Sequence, residues 1–247
     1  MTFLNIVNEL KQKYHPTSDV VIFETIFKLS KKVKNKVDFA TNRNQNIDFR
    51  ISKISKYLDD YFLKKKPLGQ ILKTTKFCGL NITIFKNIFE PRSETELITE
   101  DIIKYLYKNK QLINGVDLCC GTGCMGLTIK KLCPWVNMTL IDIQKKAIFN
   151  TKCNAKLNNL NVKTYVGDFY KTLISHELKF DFIVCNPPYV DIKTLDKSMI
   201  KYENKISFTN SDDPQYFYDQ LIKNKNKILN KNGKLFFETN KYQLLII

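Results

Sequence analysis

Ile113-Asn114-Gly115-Val116-Asp117-Leu118-Cys119-Cys120-Gly121-Thr122-Gly123-Cys124-Met125-Gly126 reads as a strand, a tight turn and the start of a helix. Residues 113–118 are the strand. Gly121 and Gly123 permit the turn and let the backbone approach a ligand closely. Downstream, Met138 to Ile141 forms a second strand that ends in Asp142. A carboxylate there, about 20 residues past the glycines, is where an open α/β sheet binds ribose hydroxyls. Helix 144–158 and strand 162–166 follow, and Gly167-Asp168-Phe169 ends that third strand. A fourth strand, 181–185, leads into a polar loop, a helix near 214–229 and a last strand, 234–238, ending in Glu238. Strands and helices alternate, so the expected fold is α/β, a doubly wound parallel sheet.

The fourth strand runs into Asn186-Pro187-Pro188-Tyr189. Pro187 and Pro188 have no backbone N–H, and each restrains the residue before it. The turn is therefore stiff, with carbonyls free to accept. An amide side chain and proline carbonyls at the carboxyl edge of a sheet make a clamp. It suits a planar group with two N–H donors, a primary amide or an exocyclic amine. The simpler reading is a strand that ends in a proline turn.

Gly121 to Gly126 also matches the dinucleotide fingerprint G-x-G-x-x-G, so a nicotinamide enzyme is a rival. Two features favour S-adenosyl-L-methionine instead. Asp117 lies inside the strand before the loop, where it can organise the loop and receive an ammonium group. A dinucleotide site gains nothing from a second carboxylate near its pyrophosphate. Hydride transfer has no use for an amide clamp.

Composition narrows the class. In 247 residues no apolar run reaches the ~18 residues of a membrane span, and the first residues do not form a signal peptide. A soluble, cytoplasmic protein is expected. The seven cysteines are odd in number and no two pairs sit at zinc-finger spacing, so no metal is expected. His15 and His176 lie far from the motifs, which argues against imidazole catalysis. The net charge is +16, but Arg occurs only at positions 43, 50 and 92. Lysine excess of this kind fits a genome poor in G and C and makes no functional demand. Residues 1–88 hold 17 basic and 7 acidic residues, a front end suited to an RNA-rich or acidic partner or to plain solvation.

Along the chain, Phe3, Ile6, Val7 and Leu10 share one helical face, and His15-Pro16 ends that helix. Ser18 and Asp19 can cap a second helix with Val20, Phe23, Ile26 and Phe27 on its apolar side. A short helix is expected within 31–46. Ile47, Ile51, Ile54, Leu58 and Phe62 mark a longer one that stops before Pro67. The expected domains are a helical bundle at 1–66, a β-hairpin linker at 67–87 around Gly79, and an α/β domain at 88–247. Glu90-Pro91-Arg92-Ser93-Glu94-Thr95-Glu96 opens the α/β domain. Ser93 or Thr95 can cap its first helix. Arg92 is not needed for a cap, and its fork of donors suits a carboxylate or a substrate.

Together, Asp117 to Gly126, Asp142, Gly167-Asp168 and Asn186 to Tyr189 resemble the class I S-adenosylmethionine-dependent methyltransferases that act on planar nitrogen. The order of features resembles the peptide chain release factor glutamine methyltransferases of the HemK/PrmC type. That family has a helical bundle, a hairpin linker and an Ile-Pro-Arg-Pro-Glu-Thr-Glu segment, here residues 90–96. Tyr202-Glu203 and Gly233-Lys234-Leu235 also fall in its order. The resemblance implies a Rossmann-like sheet and methyl transfer to the glutamine of the Gly-Gly-Gln loop of a class 1 release factor. It implies cofactor contacts from Asp117, Cys119, Cys120, Gly121, Thr122, Gly123, Asp142, Asp168, Phe169 and Asn186. It implies catalysis by Asn186, Pro187, Pro188 and Tyr189, with Arg92 and Glu94 joining them at the substrate. A monomer that needs no nucleic acid is expected. The alternatives are an N6-adenine methyltransferase acting on RNA or DNA, and a non-catalytic cofactor-binding remnant.

The chain departs from the family pattern in four places, one of them after Tyr202-Glu203, where Thr209-Asn210-Ser211-Asp212-Asp213 stands in place of a Gly-rich stretch. Cys119 stands where the family has its first loop glycine. Glu90 and Ser93 replace the isoleucine and second proline. Strand 234–238 would be the fifth of seven, so the last two strands are expected to be missing and the fifth to present an open edge.

Overall fold

The computed structural model describes residues 1–14, 19–191, 193–194, 200–209, 213, 215–239 and 244–247. The chain divides into two compact units, Met1–Leu72 and Lys73–Ile247.

The first unit holds α1 (Phe3–Tyr14), α2 (Asp19–Leu29), α3 (Lys36–Asn42), α4 (Ile51–Phe62) and α5 (Leu68–Leu72). Phe3, Ile6, Val7 and Leu10 of α1 are buried, as their spacing requires. They pack with Ile22 and Ile26 of α2 and Ile54 and Leu58 of α4. The expected face of α2 holds at buried Ile26 and at Phe23 and Phe27, which pack half-buried against the core, but is corrected at Val20. Val21, Ile22, Thr25 and Ile26 face inward, while Val20 is 69% exposed. The run Val20-Val21-Ile22-Phe23 is apolar all round, so periodicity alone cannot choose its inner side. His15-Pro16 and Ser18 lie outside the described residues.

The second unit begins with the hairpin β1 (Thr74–Phe77) and β2 (Leu80–Thr83), paired in antiparallel register. Cys78 and Gly79 both have positive φ, the conformation a two-residue hairpin turn needs. The chain then alternates through α6 (Ser93–Lys108), β3 (Asn114–Leu118), α7 (Cys124–Leu132), β4 (Asn137–Asp142), α8 (Lys145–Leu157), β5 (Lys163–Val166), α9 (Phe169–Ser175), β6 (Phe180–Cys185), α10 (Tyr216–Ile228), β7 (Leu229–Glu238) and β8 (Leu244–Ile246). Sheet order is β5-β4-β3-β6-β7-β8, and all neighbours are parallel except β7 and β8.

Strand residues alternate between two cores. Phe182 and Val184 pack toward α6, α7 and α8, while Ile183 and Cys185 pack toward α9 and α10. Three asparagines on one face of α8 tie the hairpin down. Asn150, Asn154 and Asn158 accept from the backbone N–H groups of Phe85, Thr83 and Asn81 at 2.9, 2.8 and 3.3 Å.

The expected open edge on the fifth strand is corrected. β7 is longer than expected, and β8 pairs along it with Phe236 opposite Ile246 and Glu238 opposite Leu244. An apolar tail beside unpaired backbone groups is satisfied by adding a strand.

Candidate active site

β3 is the first strand laid down, and the chain builds outward from it in both directions. β4 and β5 lie on one side, β6 and β7 on the other. Leu118 pairs with Ile141 of β4 and with Cys185 of β6, so three strands end level. Ligands of open α/β sheets sit at such a switch point. A cavity of about 360 Å³ opens there, within the range of small-molecule sites.

One half of the cavity is built on the glycine loop. Asp117 is 2% exposed and its Oδ2 accepts the Gly126 N–H at 2.9 Å. A Cβ on Gly126 would stand 2.9 Å from that oxygen, so only glycine lets the helix start this close. Burial pushes the Asp117 carboxyl up to about 7, against the pull of the Gly126 N–H, and Asp142 pushes the same way as burial. Asp142 closes β4. Its Oδ2 accepts from Gly121 N at 2.9 Å and its Oδ1 from Gln144 N at 2.8 Å. Burial raises its pKa as well, opposed by those two amides.

Gly121 has φ +56°, and nothing stands within 4 Å of where a Cβ would be. The loop backbone is thus open toward the cavity. Cys119 takes the same left-handed conformation, φ 58°, without being glycine. Its thiol is held protonated by its neighbour Cys185 and by burial. Burial does the same to Cys120 and Cys124. A protonated thiol is a weak nucleophile and a weak metal ligand, and among the described residues no cluster could hold a metal ion.

Asn186, Pro187, Pro188 and Tyr189 line the other half. The Asn186 NH2 donates to Thr95 Oγ1 at 3.2 Å, and the Tyr189 hydroxyl donates to Glu238 Oε1 at 3.2 Å. Arg92 meets a carboxylate, Glu203, at 2.6 Å, and lies over the Phe89 ring at 4.6 Å. Glu203 is buried, and its other oxygen accepts from Glu90 N at 2.5 Å. This pair fixes the segment before α6 against the loop that follows the clamp.

The cavity thus gathers Arg92, Asp117, Cys119 to Thr122, Asp142, Asp168, Phe169 and Asn186 to Tyr189. Asp168 also caps α9 through Lys171 N at 2.9 Å. Two sequence candidates do not line it. Gly123 opens α7 with φ 79°, and the half-buried Glu94 carboxylate receives the hydroxyl of exposed Ser93 at 3.0 Å. The expected cap is corrected too: Arg92 occupies the N-cap position and no side chain caps α6. Thr95 is instead buried beside the clamp. The roles of Thr95 and Glu238 were not legible in the sequence, because they depend on three elements meeting.

The family model described as methyltransferase small domain matches residues 94–203. A release factor glutamine methyltransferase from Mycoplasma mycoides is 35% identical over 194 residues, spanning 76% of this chain and 68% of the relative. A Clostridium botulinum protein of the same name is 33% identical over 210 residues, spanning 83% and 74%. A solved T. thermophilus 16S rRNA N2 G1207 methyltransferase shares the fold at 16% identity and a TM-score of 0.50, covering 68% of this chain and 42% of that one.

Proposed function

This chain belongs to the release factor glutamine methyltransferase family, and on that premise we propose that it methylates the side-chain amide nitrogen of the Gly-Gly-Gln glutamine of a class 1 release factor. The observation that carries the reading is the clamp. It sets an asparagine and two prolines on the same cavity as a loop flanked by two buried carboxylates.

The residues fit S-adenosyl-L-methionine. Asp142 would hold the ribose hydroxyls, since each of its oxygens keeps a lone pair beyond its backbone bond. Asp117 would face the ammonium group, and the open backbone at Gly121 leaves room for the cofactor's body. When bound, the cofactor supplies an electrophilic methyl group on a sulfonium.

The chain's own residues do the rest. An amide nitrogen is a poor nucleophile because its lone pair is delocalised into the carbonyl. Asn186 Oδ1 and the Pro187 carbonyl each accept one N–H, which holds the nitrogen against rotation. Tyr189 packs on the amide plane. Methylation would leave the nitrogen acidic, and one of its N–H protons would then pass to water to return a neutral amide. Holding both partners in near-attack geometry supplies up to ~7–11 kcal/mol in well-oriented systems. No imidazole is required.

The test is peptide mass spectrometry of a release factor treated with the protein and labelled cofactor. One added methyl on the glutamine supports the reading. An unmodified glutamine, with N6-methyladenine appearing in tRNA or DNA offered alongside, overturns it.

A further inference from the structure

We infer that Glu238 is a positioning residue that keys the clamp by fixing which end of the Asn186 amide faces the cavity. The inference rests on the reading of Asn186 as acceptor for a substrate amide. An asparagine carries an oxygen and an NH2 group of similar size. A clamp that accepts N–H needs the oxygen inward, and Asn186 alone has no reason to choose.

The choice is made by its neighbours. The NH2 end donates to Thr95 Oγ1 at 3.2 Å. A hydroxyl can donate or accept, so this contact settles the amide only if the Thr95 hydrogen is engaged elsewhere. Glu238, 2% exposed at the end of β7, lines the same cavity as Thr95 and interacts with its side chain. Burial raises the pKa of this carboxyl and Glu94 pushes the same way, while hydrogen bonds from Thr95, Tyr189 and Asn186 pull it back toward the charged form. A carboxylate only accepts. It takes the Tyr189 hydroxyl on Oε1 at 3.2 Å. Its Oε2 is buried and takes no other hydrogen bond among the described residues, so it has lone pairs left for the Thr95 hydrogen. With that hydrogen turned to Glu238, the Thr95 oxygen can only accept, and Asn186 must offer its NH2. Turning the Asn186 oxygen toward this acceptor-lined side would set lone pairs against lone pairs. The strand end that carries this carboxylate is held by the Tyr218 hydroxyl, which donates to the Glu238 backbone carbonyl at 2.8 Å.

A double-mutant cycle on the full chain tests this, with release factor methylation as readout. Glu238→Gln keeps the shape but brings an NH2 group among donors. We expect kcat to fall by roughly 10–100-fold, with cofactor affinity and KM for the release factor within a few-fold. Asn186→Ala alone should cut kcat by about 10²–10³. In the double variant the loss should be no greater than for Asn186→Ala, since nothing is left to orient. Additive losses, or wild-type kcat in Glu238→Gln, would overturn the inference while leaving the proposed reaction intact. A wild-type chain that never methylates the glutamine overturns both. Should Glu238→Gln fail to fold, Thr95→Val decides by the same cycle with Asn186→Ala, because it removes the hydroxyl and keeps the shape.

Discussion

Asp117 is a carboxylate only 2% exposed, at the edge of the cavity, so its ionisation depends on what stands in for water. One backbone N–H is not enough, and the group sits near pKa 7. A raised carboxylate pKa means that the folded chain holds the proton more tightly than the unfolded chain. The stability contributed by this group is complete below the unfolded value near 3.9 and is lost as pH rises through about 7. A cation bound beside Asp117 reverses the preference and expels the proton. Cofactor affinity should therefore rise by roughly 10–30-fold between pH 5.5 and 7.5. Calorimetry at three pH values checks it, and Asp117→Asn should flatten the profile. A flat profile in the wild-type chain would remove Asp117 from the cation's site. At Asp142 the expectation is simpler. Asp142→Ala should weaken cofactor binding by about 10–100-fold, since hydrogen bonds to a charged group are worth ~1.5–3 kcal/mol. Unchanged affinity in the same titration would exclude it from the ribose site. Both aspartates could be read from the sequence because strand, glycine turn and helix fix where a strand-end carboxylate lies. Glu238 could not, since its partners are 49 and 143 residues away along the chain, at Tyr189 and Thr95.

At the scale of elements, α8 carries more than its apolar face suggests. Asn154 is fully buried and donates to the carbonyls of Thr83 and Thr122, both at 3.0 Å, while accepting from Thr83 N. One side chain thus joins the hairpin to the glycine loop. Asn154→Ala would leave the Thr83 N–H and the Thr122 carbonyl buried without these partners, at a cost of about 2–4 kcal/mol. Urea unfolding measures it, and a loss below 1 kcal/mol would mean that water replaces the amide. In the sequence these asparagines sit where a polar helix face is expected, so the ladder gave no signal of its own. The long helices and the parallel strands were legible because their apolar periods differ. Two short helices, α5 and α9, were not, since five or seven residues hold too few turns to show a period. β8 was missed for another reason: three residues of tail become a strand only because β7 offers an edge.

At the scale of the molecule, the chain has two compact units with separate cores. Every residue lining the cavity lies in the second unit, which has its own two cores. The first unit has a separate core built on α1, α2 and α4. It carries 14 basic and 7 acidic residues. The glutamine loop of a release factor is small, and a clamp that holds one amide cannot by itself select one protein among many. We propose that the helical bundle, residues 1–66 as read from the sequence, grips the rest of the release factor and so raises the local concentration of its loop at the clamp. Removing residues 1–72, the whole first unit, should then leave cofactor affinity within a few-fold. Methylation of the intact release factor should fall by at least about 10²-fold. A short Gly-Gly-Gln peptide provides the internal control, because it has nothing for the bundle to hold. It should be modified slowly and equally by the full and truncated chains. Calorimetry reports the cofactor, and mass spectrometry reports both substrates. A truncated chain that still methylates the intact factor at the full rate would show that recognition lies within residues 73–247. Loss of cofactor binding would show instead that the second unit needs the first in order to fold.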